Sequence, residues 1–385
     1  AASDVYKRQD VEQRNLQNNI VGLEASRLFA RSEINMGVDA FRDSLYAMLK
    51  RNTFLNIKFE NMLDTLGEMS RTDLYSYLKE WEQLTPLPFY SIGEPELTKV
   101  VNKGGEEFFV LKVLVSNNSD YDGIIQMNVL QNGWWYQPME DPRARKKVEI
   151  AAHTSKEFVS VWEEQIRDVE INTMVSGNLP YMIRQSIGNV KQERNKIVKD
   201  TIYTLPESSL EMPGEVIVDN EDSTLFVLST PAVVGLLPKW LDKVEDTSFK
   251  YSGISWWRAP LQWTATTNAK YYGKYIRSAY VIKSGDGSQT ATWKIPVPEA
   301  GQYELYYHVF KDDELRWNDR LQGEYHFRVA YDSEMEDAYI NLRKANEGWE
   351  QLGTYYFSAD TVRVVLTDEC KLRSVTADAV KIVKR

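Results

Sequence analysis

Between residues 10 and about 90 the apolar positions recur at helical spacing. Phe41, Leu45, Met48 and Leu49 stand at i, i+4, i+7 and i+8, which lays one apolar stripe along an amphipathic helix. Thr72 precedes Asp73, Leu74, Tyr77, Leu78 and Trp81, and its hydroxyl is placed to cap a short helix. That helix must end before Pro86 and Pro88, because proline lacks an N–H and restricts the residue before it. Gly22, Gly37 and Gly67 are expected breaks between helices.

From about Thr98 the period changes to two. FFVLKVLVSN, GIIQMNVLQN, KKVEIAAHT, EFVSVWEE and DVEINTMVS are short β-rich runs separated by Asn, Gly, Ser and Pro. Strands at this spacing, with no helical pattern between them, predict an all-β sandwich that ends near Asn178-Leu179-Pro180. Residues 190–214 are charged and then punctuated by Pro and Gly, and they read as a linker. After Glu215 the β pattern resumes. In GEYHFRVAYD, Tyr325, Phe327, Val329 and Tyr331 share one face and His326 and Arg328 the other, the alternation of a half-buried antiparallel strand. The GDG at 285–287 and the PEAG at 298–301 are turn signals around the strand holding Trp293. A second sandwich, of jelly-roll type, is predicted for 215–385.

Composition narrows the function classes. At 385 residues the chain can bury more than one core. A formal charge of −10 and the lack of a basic stripe argue against a nucleic-acid partner, whose phosphates call for a local Lys/Arg surplus. No apolar run approaches the roughly 18 residues of a membrane-spanning helix. The single cysteine, Cys370, leaves no internal disulfide and no Cys-rich zinc site. The first nine residues, AASDVYKRQ, back-translate into a sequence like the adaptor that a transposase joins to DNA libraries. We read Ala1 to Gln9 as a translated adaptor and leave it out of the fold. On that reading the chain is the C-terminal part of something longer.

Two stretches resemble known families. EVIVDNED (215–222), YGKYIRSAY (272–280), DGSQTATWKIPVPEAGQYELYYHVF (286–310), EGWEQLGTYYFSAD (347–360) and VTADAVKIVKR (375–385) resemble, in order and spacing, the golvesin and xanthan-lyase C-terminal family. That likeness implies a carbohydrate-binding-like β-sandwich over 215–385. GVDAFRDSLYAMLKRNTF followed by LGEMSRTDLYSYLKEWEQLTPLPFY resembles the region downstream of the catalytic core in zinc aminopeptidases of the aminopeptidase N class. Trp81 and the Leu-Pro-Phe-Tyr at 87–90 carry this second likeness. It implies that 10–92 ends a truncated peptidase-like domain and that 95–189 is an immunoglobulin-like sandwich. The fold class expected is therefore mainly β with an N-terminal α-helical segment, an immunoglobulin-like sandwich followed by a jelly-roll-like one. The family's His-Glu-x-x-His zinc motif is absent here, so zinc is implied only for a catalytic domain upstream, and periplasmic or secreted placement is the expectation.

Within the chain, catalytic chemistry is hard to assemble. Zinc peptidases need two imidazoles one helical turn apart, and the only histidines are His153, His308 and His326. His153 and Glu157 form HTSKE, but their neighbours read as strand–turn–strand. His308 and His326 fall in predicted strands and could pair across a sheet. His326 with Arg328 and Tyr307 is the one set resembling a lyase base. No GxSxG elbow, P-loop or GxGxxG occurs. The KDDE run at 311–314 reads as solvated charge. Asp219, Glu221 and Asp222 in DNED gather oxygens near a strand end and are the candidate structural calcium site. Flat aromatic rings cover the C–H faces of sugars with little loss of side-chain entropy. Trp256 and Trp257, adjacent in SWWRAP, cannot both point inward if extended, and Trp317 lies in a polar loop; these three are the candidate carbohydrate contacts. Trp293 and Trp349, inside strand motifs, are expected in the core. The reading is a non-catalytic C-terminal fragment, without cofactors of its own, that binds glycan or cell-wall polysaccharide. Its alternatives are a structural or protein-interaction sandwich array without a glycan site and an accessory region of a polysaccharide-degrading enzyme.

Overall fold

The computed structural model describes residues 22–53, 55–76, 86–130, 141–188, 190–195, 198–208, 210, 214–229, 250–251, 258–311, 323–332 and 334–385. The chain is mainly β with a few N-terminal helices, and it divides into two units, Ala1–Leu210 and Glu211–Arg385. The adaptor-like residues, Trp81, Trp256, Trp257, Trp317 and nearly all of KDDE lie outside the described residues.

In the first unit the described residues begin with helices α1 (22–36), α2 (Val38–Arg51) and α3 (Phe59–Ser70). Leu28, Phe41, Leu63, Leu66 and Leu74 form their common core. Of the stripe expected on α2, Phe41 and Met48 are buried, whereas Leu49 is 52% exposed. At 100° per residue, Leu49 is rotated about 80° from Phe41, past the edge of the buried face. Gly37 breaks the helix as expected, with φ 85°. Gly67 does not; it lies inside α3, where a Cβ would stand 3.1 Å from the Thr72 carbonyl as the chain turns back through Arg71 at φ 52°. The next helical turn is capped by Asp73 and not by Thr72. Ser76 N–H donates to Asp73 Oδ1 at 3.1 Å, while the Thr72 hydroxyl donates to Ser70 O.

Among the described residues ten strands follow: β1 (Tyr90–Ile92), β2 (Glu96–Val101), β3 (Glu107–Asn117), β4 (Gly123–Leu130), β5 (Arg145–Ile150), β6 (Thr154–Trp162), β7 (Asp168–Asn172), β8 (Met182–Ser186), β9 (Val190–Arg194) and β10 (Thr201–Pro206). One sheet has the order β10-β6-β3-β2-β9, with β1 also on β3, and the other β5-β4-β7-β8. Leu111, Val113, Val115 and Phe158 of the first sheet and Ile125, Met127, Val129, Val169 and Ile171 of the second share one core. The two sheets thus close on one apolar layer. Gly123 is needed where they meet, since a Cβ there would fall 1.8 Å from Tyr90 Oη.

The strands continue past Pro180, and residues 190–206, expected as linker, hold β9 and β10. β9 pairs in parallel with β2, and β10 pairs antiparallel with β6. Both end their sheet, so one backbone edge and most of their side chains face solvent. Edge strands tolerate such charge, which is why VKQERNK lacks a strand's apolar alternation.

Among the described residues the second unit has twelve strands. They are β11 (Glu215–Val218), β12 (Phe226–Leu228), β13 (Thr264–Thr267), β14 (Ser278–Lys283), β15 (Thr290–Pro296), β16 (Gly301–Val309), β17 (Glu324–Tyr331), β18 (Glu334–Asn341), β19 (Gly348–Phe357), β20 (Thr361–Thr367), β21 (Ser374–Ala377) and β22 (Val380–Lys384). They form a four-stranded sheet β11-β22-β16-β19, a five-stranded sheet β12-β15-β20-β17-β18 and a three-stranded sheet β13-β14-β21. All three feed one core, which includes Val218, Ile282, Trp293, Tyr303, Leu305, Tyr307, Phe327, Phe357, Leu366 and Val375. The expected alternation of β17 holds: Tyr325, Phe327 and Val329 are buried, and His326 and Arg328 lie on the other face. Among the described residues no helix is long and apolar enough to cross a membrane.

Candidate functional site

Along β16 the side chains alternate between Tyr303, Leu305, Tyr307 and Val309, all buried, and Glu304, Tyr306 and His308 on the outer face. Register then decides their neighbours. His308 lies opposite Trp349 of β19, and Tyr306 opposite Lys381 of β22. The loop before β14 adds Tyr272. Its ring lies 5.1 Å from Trp349 and 5.8 Å from His308, and His308 meets Trp349 edge-on at 5.1 Å. Lys381 Nζ stands 4.9 Å from the Trp349 centroid and 5.4 Å from that of Tyr306. Glu215 of β11 holds the ammonium at 2.8 Å. Tyr306 donates to Glu304 at 2.6 Å, and Arg385 takes the other Glu304 oxygen at 3.0 Å. The result is a strip of aromatic rings and charges across the outer face of the four-stranded sheet.

Trp349 was expected in the core and is half-buried on this strip instead. Trp293 is in the core, with no exposed surface. Both sit in strand motifs, and the face each takes is set by register.

Asp378 anchors the strip from below. It is fully buried between β21 and β22, and its carboxylate accepts from Tyr272 N–H at 3.2 Å and from His308 Nδ1 at 2.8 Å. Burial raises its pKa above the ordinary 3.8, and the His308 charge opposes that rise. The sequence marks Asp378 only as the middle of ADAV; its partners come from two other segments.

The DNED carboxylates serve separate partners. Asp219 accepts from Asn220 N–H at 2.7 Å, and burial pushes its pKa well above the usual carboxylate range, with the nearby Asp378 charge adding to the rise. Glu221 accepts from Ser278 and from Lys250, and Asp222 accepts from Thr224 at 2.9 Å. Among the described residues no three His, Cys, Asp or Glu side chains gather as a metal ion would require.

The three histidines stay apart. His326 lies on the five-stranded sheet, stacked on Tyr339 at 4.8 Å and bonded to Asp337 at 2.7 Å, while His308 lies on the four-stranded sheet. Tyr307 does not join His326 and Arg328. It is a core residue that donates to the Thr376 carbonyl, so the lyase-like set is not assembled.

His153 forms a clasp in the first unit and does not pair with Glu157. At φ 54° in the turn between β5 and β6, it meets Asp120 through Nε2 at 2.8 Å and Glu207 through Nδ1 at 2.7 Å. Only the imidazolium can donate from both nitrogens. The bonds to Asp120 and then Glu207 raise its pKa above the ordinary 6.5. A base with a raised folded pKa contributes stability that is complete below its unfolded value and is lost as pH rises through the folded one. The thermal midpoint of the first unit therefore falls as pH rises above about 6.5. In His153→Ala that step is absent, which calorimetry between about pH 5.5 and 9 would show.

Among curated proteins no relative matches the sequence. Solved structures that resemble it include a Paenibacillus xanthan lyase, with 17% identity, a TM-score of 0.31, and coverage of 78% of this chain and 27% of that one. A Bacteroides uniformis β-glucuronidase shows 11% identity and a TM-score of 0.21, covering 81% of this chain and 32% of that one. The chain thus spans about a third or less of the length of these two proteins. Residues 256–384, which carry Tyr272, His308, Trp349, Asp378 and Lys381, match the family described as the golvesin C-terminal domain.

Proposed function

We propose that the second unit is a polysaccharide-binding module of jelly-roll type, carried behind an immunoglobulin-like sandwich. The observation that supports this most is the strip of Tyr272, His308, Trp349, Lys381 and Tyr306 on the outer face of the four-stranded sheet. The fold has no need of aromatic side chains on a solvent-facing surface, whereas a sugar ring uses both the ring faces and the polar groups beside them. Trp256, Trp257 and Trp317 remain candidate contacts from the sequence. The resemblance of the stretches at 37–54 and 66–90 to the region downstream of the catalytic core in zinc aminopeptidases supports reading this module as following a peptidase-like domain along the chain. That extension rests on the sequence likeness alone.

The full chain should be retarded in gels containing a neutral polysaccharide such as a β-glucan. Trp349→Ala should weaken that retardation roughly three- to tenfold, the equivalent of about 0.5–1.5 kcal/mol for one aromatic contact. Because Trp349 lies on an outer face, the variant should keep its thermal midpoint within a few degrees. Equal retardation of variant and wild type across a panel of neutral polysaccharides would exclude the strip as the binding site.

A further inference from the structure

The five-stranded sheet has an outer face of its own, and three cations occupy its middle. On β15, Lys294 stands between buried Trp293 and Ile295; on β20, Arg363 stands between buried Val362 and Val364; on β17, Arg328 stands between buried Phe327 and Val329. All three side chains therefore emerge on the solvent side. Lys294 and Arg363 are direct cross-strand partners. Arg363 lies opposite Ala330, and Arg328 opposite Val365, so Arg328 is the diagonal neighbour of Arg363 one strand further on. Like charges directly opposite each other on adjacent strands are destabilising.

Some cations on the chain's other sheets are paired with carboxylates, while others, such as Lys112 of β3 and Lys283 of β14, stand singly and not opposite another cation. Lys99 pairs with Glu107 at 2.8 Å, Lys191 with Glu96 at 3.0 Å, and Lys381 with Glu215 at 2.8 Å. The chain has ten more acidic than basic residues, so carboxylates are not scarce. Yet among the described residues none of Lys294, Arg328 and Arg363 forms an ion pair. Asp337, which faces Arg328 in register, is bonded to His326 instead. Arg328 Nε is buried without a hydrogen-bond partner. Beside the cations, Tyr339 presents a ring that is 56% exposed, its back stacked on His326 at an interplanar angle of 8°.

We infer that this face binds a carboxylate-bearing polysaccharide, a chain of uronic-acid type lying across β15, β20 and β17. Neighbouring strands lie about 4.8 Å apart, so the cations are spaced on the scale of a sugar residue. Arginine matches a carboxylate with two parallel N–H donors, and the Tyr339 ring fits a sugar's C–H face. A nucleic acid fits less well. Proteins that hold duplex DNA commonly neutralise about six to ten phosphates, and here three cations are flanked by Asp337 and Glu369, which His326 bridges.

The test uses the full chain and polygalacturonate as the probe, with its fully methyl-esterified form and single-stranded DNA as comparisons. Polygalacturonate should bind, more weakly as salt rises, and K294A/R363A should lose at least tenfold in affinity. The methyl ester and the DNA should bind at least tenfold more weakly than the acid polymer. The thermal midpoint of K294A/R363A should be unchanged or higher, since a repulsion is removed. Arg363→Gln, a milder change at an exposed position, should lose at least threefold and guards against any folding effect. Unchanged affinity in both variants, or equal binding of the ester or the DNA, would overturn the inference. The Trp349 strip lies on a different sheet and is read out with neutral polymers, so either site can fail without the other.

Discussion

Replacing Asp378 with alanine is expected to destabilise the second unit by about 3 kcal/mol, because each donor left unpaired in a buried site costs roughly 1–3 kcal/mol. The carboxylate has no exposed surface and serves donors from two other segments, Tyr272 N–H and His308 Nδ1. With it gone, both donors lose this acceptor and the loop carrying Tyr272 loses its tie to the sheet. Asp378→Asn keeps one acceptor oxygen and should lose only about a third as much. For a unit of this size, 3 kcal/mol corresponds to a drop in melting temperature of roughly 6–12 °C by calorimetry. A drop under about 2 °C would show that the carboxylate does not tie the strip down. Because burial raises the folded pKa of Asp378 above 3.8, the part of the unit's stability linked to its proton is complete below about that pH and is lost as pH rises through the folded value, separately from the hydrogen bonds the carboxylate accepts. The alanine variant should lack this decline.

Trp293→Ala is expected to cost more, about 3–5 kcal/mol, the range for emptying a large aromatic site in a core. The indole has no exposed surface, packs 5.3 Å from Phe226 and 6.1 Å from Tyr307, and donates Nε1–H to the Asp378 carbonyl at 3.2 Å. Domains of this kind are stable by about 5–15 kcal/mol in total. The variant should therefore unfold at a much lower urea concentration, or be isolated partly unfolded. Trp293→Phe, which keeps most of the volume and loses the hydrogen bond, should recover more than half of the loss. A midpoint equal to wild type for the alanine variant would contradict the packing described.

The contrast between Trp293 and Trp349 shows where sequence reading stops. Both lie in alternating strands with apolar and polar neighbours. In β15 the alternation is unambiguous, with Ala291, Trp293 and Ile295 on one face. In β19 a bulge opposite Leu305 and Tyr306 shifts the register, so the residues before it change face relative to Tyr355 and Phe357. A one-residue shift moves every side chain to the other side of a sheet. Nothing within GWEQLGTYYF marks that bulge without its partner strand.

Edge strands show the same limit from another side. β9 and β10 are polar because they end a sheet, and a charged segment that ends a sheet reads like one that joins two domains. The strip has a further difficulty. Tyr272, His308, Trp349, Asp378 and Lys381 are spread over more than a hundred residues, and Asp378 is a lone acid in an apolar motif.

Local periodicity by itself determined the β-rich character, the N-terminal helices, the inward face of β17 and the turns around β15, because each depends on residues a few positions apart. The resemblance to the golvesin C-terminal family was likewise legible in short motifs. Only the tertiary structure decided which strands are neighbours, in which register and at which edge. Those pairings place Trp349 beside Tyr272 and Lys294 opposite Arg363, and they are set by contacts between segments distant in sequence, which no window along the chain contains.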